Sequence, residues 1–150
     1  MKINWTHILI HHSLTEDNKT VSWDAIREYH TKTQGWADIG YHFGMELGPN
    51  NKCLILGGRP LNRTGAHCKE SSMNNKAIGF CFVGNYDLVN PPVPMLVQGA
   101  EFVLGLMDAF GIIPANVRGH RDYTTYKSCP GTKFDMDVFK REVESLGQYK

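Results

Sequence analysis

The residues best suited to chemistry lie near the end of the chain, in residues 119–131. This segment contains an imidazole (His120), an ammonium (Lys127) and a thiol (Cys129) within a polar stretch. Nine positions separate His120 from Cys129, so a loop between them would let both side chains reach one point. Catalytic groups are often placed on loops that rigid elements hold at both ends. Residues 119–131 are therefore the candidate site.

Three kinds of chemistry fit the pair of His120 and Cys129. With a second histidine from a distant strand, the pair would bind zinc through three protein ligands and leave a fourth position for water, as catalytic zinc sites do. Such an ion makes hydroxide available near neutral pH. Alternatively, Cys129 is a nucleophile with His120 as its base, or Cys129 is an inert thiol before a proline turn. The spacing alone does not decide among them.

The elements that would position these groups begin with an apolar run at residues 8–10, followed by His11 and His12. Such a β-branched run predicts a strand that is buried on both faces. Because side chains alternate across a strand, His11 and His12 point to opposite faces. At most one of them therefore serves a given site.

Hydrophobic periodicity and turn residues predict the remaining elements. They are a helix over 22–35, a hairpin from 41–47 and 52–56, an irregular loop over 57–75, a central strand over 77–84, a buried helix over 95–110, a short strand over 114–119 and a final helix over 135–147. Alternation in the hairpin places Tyr41 on the face opposite Glu46. Together the elements predict one α/β domain over residues 1–150, with a central mixed β-sheet flanked by about three α-helices.

Composition narrows the range of partners. Sixteen basic and fifteen acidic residues give a formal net charge of +1, so we expect binding to neither nucleic acid nor an anionic membrane. The first residues lack the pattern of a signal peptide, and no run approaches 18 uncharged apolar residues. We therefore expect a protein made in the cytoplasm, with its four cysteines as free thiols. We also expect a monomer.

The order of short motifs resembles that of the zinc-dependent N-acetylmuramoyl-L-alanine amidases of the phage lysozyme and peptidoglycan-recognition-protein type. The matching fragments are IHHS at 10–13, GWADIGYHF at 35–43, GAH at 65–67, AIGFCFVGN at 77–85, GHRD at 119–122 and KSCPG at 127–131. The resemblance covers nearly the whole chain. It implies cleavage of the amide bond between N-acetylmuramic acid and L-alanine, with peptidoglycan or a muropeptide as substrate.

The resemblance also implies roles for individual residues. His11 joins His120 and Cys129 as a ligand of Zn2+, and His12 is then the residue on the other face. Tyr41 and Lys127 lie beside the metal in the family, where a phenol and an ammonium can donate to the oxyanion that forms when an amide is attacked.

Two further positions and one departure complete the comparison with the family. His67 and Asn74 resemble positions that contact the muropeptide, although polarity of an ordinary loop would also explain them. Some relatives carry a carboxylate for proton transfer where this chain has Cys81 between two phenylalanines. Glu46 is a poor replacement because alternation puts it opposite Tyr41.

These expectations favour a compact phage-type endolysin that another agent releases to the cell wall. A cytoplasmic amidase that recycles muropeptides is the nearest alternative. A non-catalytic peptidoglycan-binding module on the same fold is a third, and the presence of Cys129 argues against it, since non-catalytic relatives typically replace that cysteine. A cysteine hydrolase is a further alternative. Its activity would persist after chelation of metal ions and would be lost on thiol alkylation.

Overall fold

A computed structural model describes residues 2–14 and 22–148. Within these residues five strands form one sheet in the order β3-β2-β4-β1-β5. Their bounds are β1 His7–His12, β2 Phe43–Leu47, β3 Cys53–Gly57, β4 Ala77–Phe82 and β5 Val117–Gly119. β4 pairs in parallel with β1 and β2, β1 pairs in parallel with β5, and β2 pairs antiparallel with β3. The predicted mixed sheet with a central fourth strand is confirmed.

The α-helices of the described residues are α1 Trp23–Glu28, α2 Val93–Phe110 and α3 Met136–Gly147. The side chain of Ser22 caps α1 by accepting from the Ala25 amide, and Asp135 caps α3 in the same way. Gly111 ends α2 in the left-handed conformation, with φ +67°. The helix predicted over 22–35 is shorter as an α-helix, because it passes into a π-helical turn over Tyr29–Thr33.

Apolar clusters pack against both faces of the sheet. On one face α2 and α3 cover the larger cluster, which includes Ile8, Ile10, Met45, Phe80 and Phe82. On the other face α1 covers a smaller cluster of Trp23, Ile26, Ile39, Cys81 and Val83. Successive residues of β4 thus alternate between the two clusters. This second face leads to the candidate site, because His11 pairs in register with Cys81.

The strand parity predicted for Tyr41 is wrong. β2 begins at Phe43, and the chain bends at His42, whose Nδ1 accepts from the Gly79 amide and whose Nε2 lies 3.0 Å from the Arg63 carbonyl oxygen. Tyr41 consequently packs with the α1-face cluster.

The prediction that Glu46 lies on the face opposite Tyr41 is wrong for the same reason. Glu46 also lies on the α1 face, where its carboxylate accepts from the Trp23 amide at the start of α1. This contact makes Glu46 a cap of α1. The cap, and not the strand face, is therefore the reason why Glu46 is a poor candidate for proton transfer.

Helix α2 is long and apolar enough, by length and composition, to cross a membrane. In the fold it packs against β2, β3 and α3, with Met95, Ala100 and Val103 buried. The core helix of a water-exposed domain meets the same criterion, so this feature is weak evidence for a membrane span. The four cysteines are free thiols.

Candidate metal centre

The sheet itself brings two histidines together. In the parallel pair of β1 and β5, Ile10 is in register with Gly119, so the next residues, His11 and His120, leave neighbouring strands at the same edge. Their ring centroids are 4.7 Å apart. Carboxyl ends of parallel strands are a recurrent position for binding sites because loops diverge there.

Hydrogen bonds hold the cysteine loop over this edge. The Arg121 amide donates to the Cys129 carbonyl oxygen at 2.7 Å, and the Arg121 guanidinium donates to the Gly131 carbonyl oxygen at 2.6 Å. Asp87 accepts from the Ser128 hydroxyl and from the Thr132 amide. These contacts fix the loop on both sides of Cys129.

The three predicted ligands converge as a result. Cys129 Sγ lies 3.6 Å from His11 Nδ1, and one donor atom from each of His11, His120 and Cys129 lies within 4.8 Å of the other two. All three side chains are buried. Two imidazoles and a thiol at this separation suit a zinc ion, so the donor set fits the metal that the sequence predicted.

The tautomers of two histidines strengthen this fit. His67 Nε2 lies 3.1 Å from the Ala77 carbonyl oxygen and must donate to it, so the neutral ring accepts at Nδ1. That atom lies 2.9 Å from His11 Nε2, which therefore carries the proton. His11 Nδ1 is therefore unprotonated, and its lone pair faces Cys129 Sγ at 3.6 Å. A ligand histidine with its other nitrogen bonded outside the cluster is the usual arrangement at metal sites.

Burial sets the protonation of the cluster before any metal binds. It lowers the pKa of His11 well below its ordinary value and that of His120 to about 4, so both rings are neutral near pH 7. Burial likewise raises the pKa of the Cys129 thiol to about 12. A metal must displace this proton. The same shift weighs against Cys129 as a metal-free nucleophile, since the thiolate is the reactive form.

Tyr41 and Lys127 both border the groove above the cluster. The groove has a volume of about 460 Å³, and His11, His120 and Cys129 also line it. The Tyr41 ring lies 5.1 Å from that of His11, and burial raises the pKa of its phenol well above the ordinary value. Tyr41 is therefore a proton donor at neutral pH. Lys127 is exposed at the rim, close enough to lower the pKa of His120.

The structure places His67 and Asn74 next to the site with existing partners. Both ring nitrogens of His67 are engaged, and its side chain is buried. Asn74 Oδ1 accepts from the amides of His67 and Cys68 at 2.7 and 2.8 Å, so it shapes the loop that carries them. Arg59 donates to the carbonyl oxygens of Ile39 and Thr64 and braces the same region. Contact of His67 and Asn74 with a muropeptide stays a prediction.

Several residues in and beside the groove were not predicted from the sequence. His30 lines the groove with Trp36, and their ring centroids are 4.6 Å apart. Glu70 and Tyr126 were not singled out. The Tyr126 hydroxyl donates to Glu70 Oε1 at 2.8 Å and joins the irregular loop to the cysteine loop. Loop residues of this kind carry no periodic signal.

The fold and the cluster together define a class: an α/β domain with a potential hydrolytic metal centre at the carboxyl edge of a mixed sheet. Within that class, the chain belongs to the N-acetylmuramoyl-L-alanine amidase family, whose model matches residues 1–132. The resemblance drawn from the short motifs is thereby confirmed. The family is generally zinc-dependent, in agreement with the possible His/Cys metal site.

Individual relatives include phage and animal proteins. The endolysin of Enterobacteria phage K11 is 31% identical over 142 residues, covering 93% of this chain and 87% of the phage protein. Peptidoglycan recognition protein 1 of Bos indicus is 37% identical over 99 residues, or 65% of this chain, and the match spans 49% of that protein. The chain thus spans about half the length of this relative. The solved structure of the endolysin amidase LysCS from Clostridium intestinale superposes with a TM-score of 0.81 at 26% identity, covering 95% of this chain and 86% of LysCS.

Proposed function

We propose that this protein is a zinc-dependent amidase that hydrolyses the bond between the lactyl group of N-acetylmuramic acid and L-alanine in peptidoglycan. The observation that carries the proposal is the buried cluster of His11, His120 and Cys129 at the floor of an open groove, in a member of the amidase family. A groove of about 460 Å³ has room for a sugar and part of a stem peptide.

In this proposal His11 Nδ1, a ring nitrogen of His120 and the Cys129 sulfur hold the ion. When bound, zinc supplies Lewis-acid chemistry, which polarises the scissile carbonyl and lowers the pKa of water. His67 Nδ1 accepts from His11 Nε2, so the proton of His11 stays on Nε2 and the ligand atom Nδ1 stays unprotonated. The hydrogen bonds of Arg121 and Asp87 keep the cysteine loop in place while substrate binds.

Tyr41 and Lys127 act on the substrate in the same proposal. The neutral phenol of Tyr41 and the ammonium of Lys127 flank the groove, and both donate to the oxygen that gains negative charge as the carbonyl is attacked. Cys81 occupies the position where some relatives have a carboxylate, and burial raises its pKa well above the ordinary value. Proton transfer to the leaving amine then falls to Tyr41 or Lys127.

The biological role that we favour is that of a phage-type endolysin, made in the cytoplasm and active on the bacterial cell wall after release. The match to the phage K11 endolysin supports it, because that match covers most of both chains. Recycling of muropeptides in the cytoplasm would use the same chemistry on soluble fragments.

Digestion of purified peptidoglycan tests the proposal. The zinc-loaded protein should release new L-alanine amino termini, the metal-stripped protein should not, and added zinc should restore the release. New reducing sugar ends would point to a glycosidase and defeat the amidase proposal. Equal activity on intact sacculi and on soluble muropeptides would count against the endolysin role, whereas a preference for sacculi would support it.

A further inference from the structure

A second group of potential ligands adjoins the first. Cys68, Glu70 and His120 each place a donor atom within 4.8 Å of the other two. Cys68 and His120 are buried, and the Glu70 side chain is 22% exposed. Cys68 and Glu70 have no part in the proposed amidase chemistry, and the motif resemblance did not include them.

The distances from Glu70 to the other two ligands are close to those of a tetrahedral metal site. Cys68 Sγ lies 3.5 Å from Glu70 Oε2, and His120 Nε2 lies 3.9 Å from the same oxygen. With a Zn–S bond of about 2.3 Å and a Zn–O bond of about 2.0 Å, tetrahedral ligands stand about 3.5 Å apart. A small contraction would therefore bring all three atoms onto one ion.

Two contacts preorganise the group. Asn74 Oδ1 accepts from the Cys68 amide at 2.8 Å and fixes the backbone that carries the thiol. The Tyr126 hydroxyl donates to Glu70 Oε1 at 2.8 Å and leaves Oε2 facing Cys68 and His120. An open groove of about 370 Å³, lined by all three candidate ligands, gives an ion access from solvent.

We infer that Cys68, Glu70 and His120 form a second, inhibitory binding site for zinc or a similar divalent cation. This inference rests on the proposed function, because His120 is shared with the proposed catalytic site. A thiolate and a carboxylate would neutralise the charge of the ion. Burial and the hydrogen bond to Glu70 raise the pKa of Cys68 to about 11, so binding releases its proton. His120 can serve both ions only with one ring nitrogen on each, so binding of the second ion also releases the remaining proton of this ring.

Charge makes the second site the weaker one. A second ion meets the positive charge of the first and the ammonium of Lys127, which lies close enough to lower the pKa of both Cys68 and His120. We expect affinity at least about tenfold lower than at the first site. Occupation draws His120 toward Glu70, so excess zinc should lower turnover.

Cobalt titration of the metal-stripped protein tests the inference, because each thiolate ligand adds a charge-transfer band. In the wild type the band should grow with the first equivalent and again with a second, weaker one. Cys68→Ala should lose the second step, and Cys53→Ala, which removes a buried thiol elsewhere in the core, should keep both. Identical curves for the wild type and Cys68→Ala would overturn the second site.

An activity measurement completes the test. Excess zinc should inhibit the wild type and Cys53→Ala but leave Cys68→Ala fully active. Equal inhibition of all three would overturn the inhibitory role. The proposed catalytic site fails separately: it is wrong if Cys68→Ala gives no thiolate band at all, whatever the second equivalent does in the wild type.

Discussion

The role of His67 can be decided by a matched pair of substitutions. The sequence predicts a contact with substrate, whereas the structure engages both of its ring nitrogens, with His11 at 2.9 Å and with the Ala77 carbonyl oxygen at 3.1 Å. Leucine and asparagine have nearly the same shape, but only asparagine places an oxygen near the position of His67 Nδ1. Both variants lose the bond to Ala77, so they differ only in the acceptor for His11.

We expect His67→Leu to weaken zinc binding by about 10- to 100-fold, the usual effect of removing a partner that orients a ligand. This corresponds to about 1.4 to 2.8 kcal/mol. His67→Asn should recover most of the loss. Competition with a chromogenic chelator measures the zinc affinity, and steady-state kinetics on a soluble muropeptide measure KM. Unchanged zinc affinity with a raised KM in both variants would refute the positioning role and support the substrate contact.

Three further predictions concern the metal, the oxyanion and stability. Cys129→Ser should abolish turnover and weaken zinc retention in dialysis, and full activity would mean that the ligand set is wrong. Tyr41→Phe should lower kcat by about 10²- to 10³-fold at unchanged zinc content, and a loss confined to KM would contradict its role as oxyanion donor. Burial lowers the pKa of His42 from 6.5 to about 4, so its neutral form stabilises the fold fully above pH 6.5, and this contribution is lost as the pH falls through 4. The free energy of unfolding of the metal-stripped protein, measured in urea, should therefore fall by about 3 kcal/mol at this site between pH 7 and pH 4. His42→Gln should remove that part of the pH dependence. An unchanged pH dependence in this variant would contradict the assignment to His42.

The sheet and the convergence of His11, His120 and Cys129 were predictable because they rest on periodic patterns. A buried apolar run predicted β1, and alternation along it separated His11 from His12. The loop after β5 delivered His120 and Cys129. Parallel pairing of β1 and β5 then joined these parts, and such pairing follows from the alternation of strands and helices in the chain.

The remainder depended on contacts that have no period. Tyr41 lies on the α1 face, and not on the predicted face, because the hydrogen bonds of His42 bend the chain just before β2. His67 meets His11 because Asn74 folds the irregular loop around its own acceptor oxygen. Glu70 reaches the site from that same loop. Each position is set by one or two specific hydrogen bonds, which the sequence does not encode as a pattern.

X-ray absorption at the zinc edge, on protein loaded with one zinc per chain, identifies the atoms bound to the ion. For a site of His11, His120 and Cys129 we expect one sulfur at about 2.3 Å and two imidazole nitrogens at about 2.0 Å in the first coordination shell. The sulfur contribution should disappear in Cys129→Ser and persist in Cys68→Ala. A shell without sulfur, or a sulfur contribution that survives in Cys129→Ser, would contradict the His11, His120 and Cys129 site.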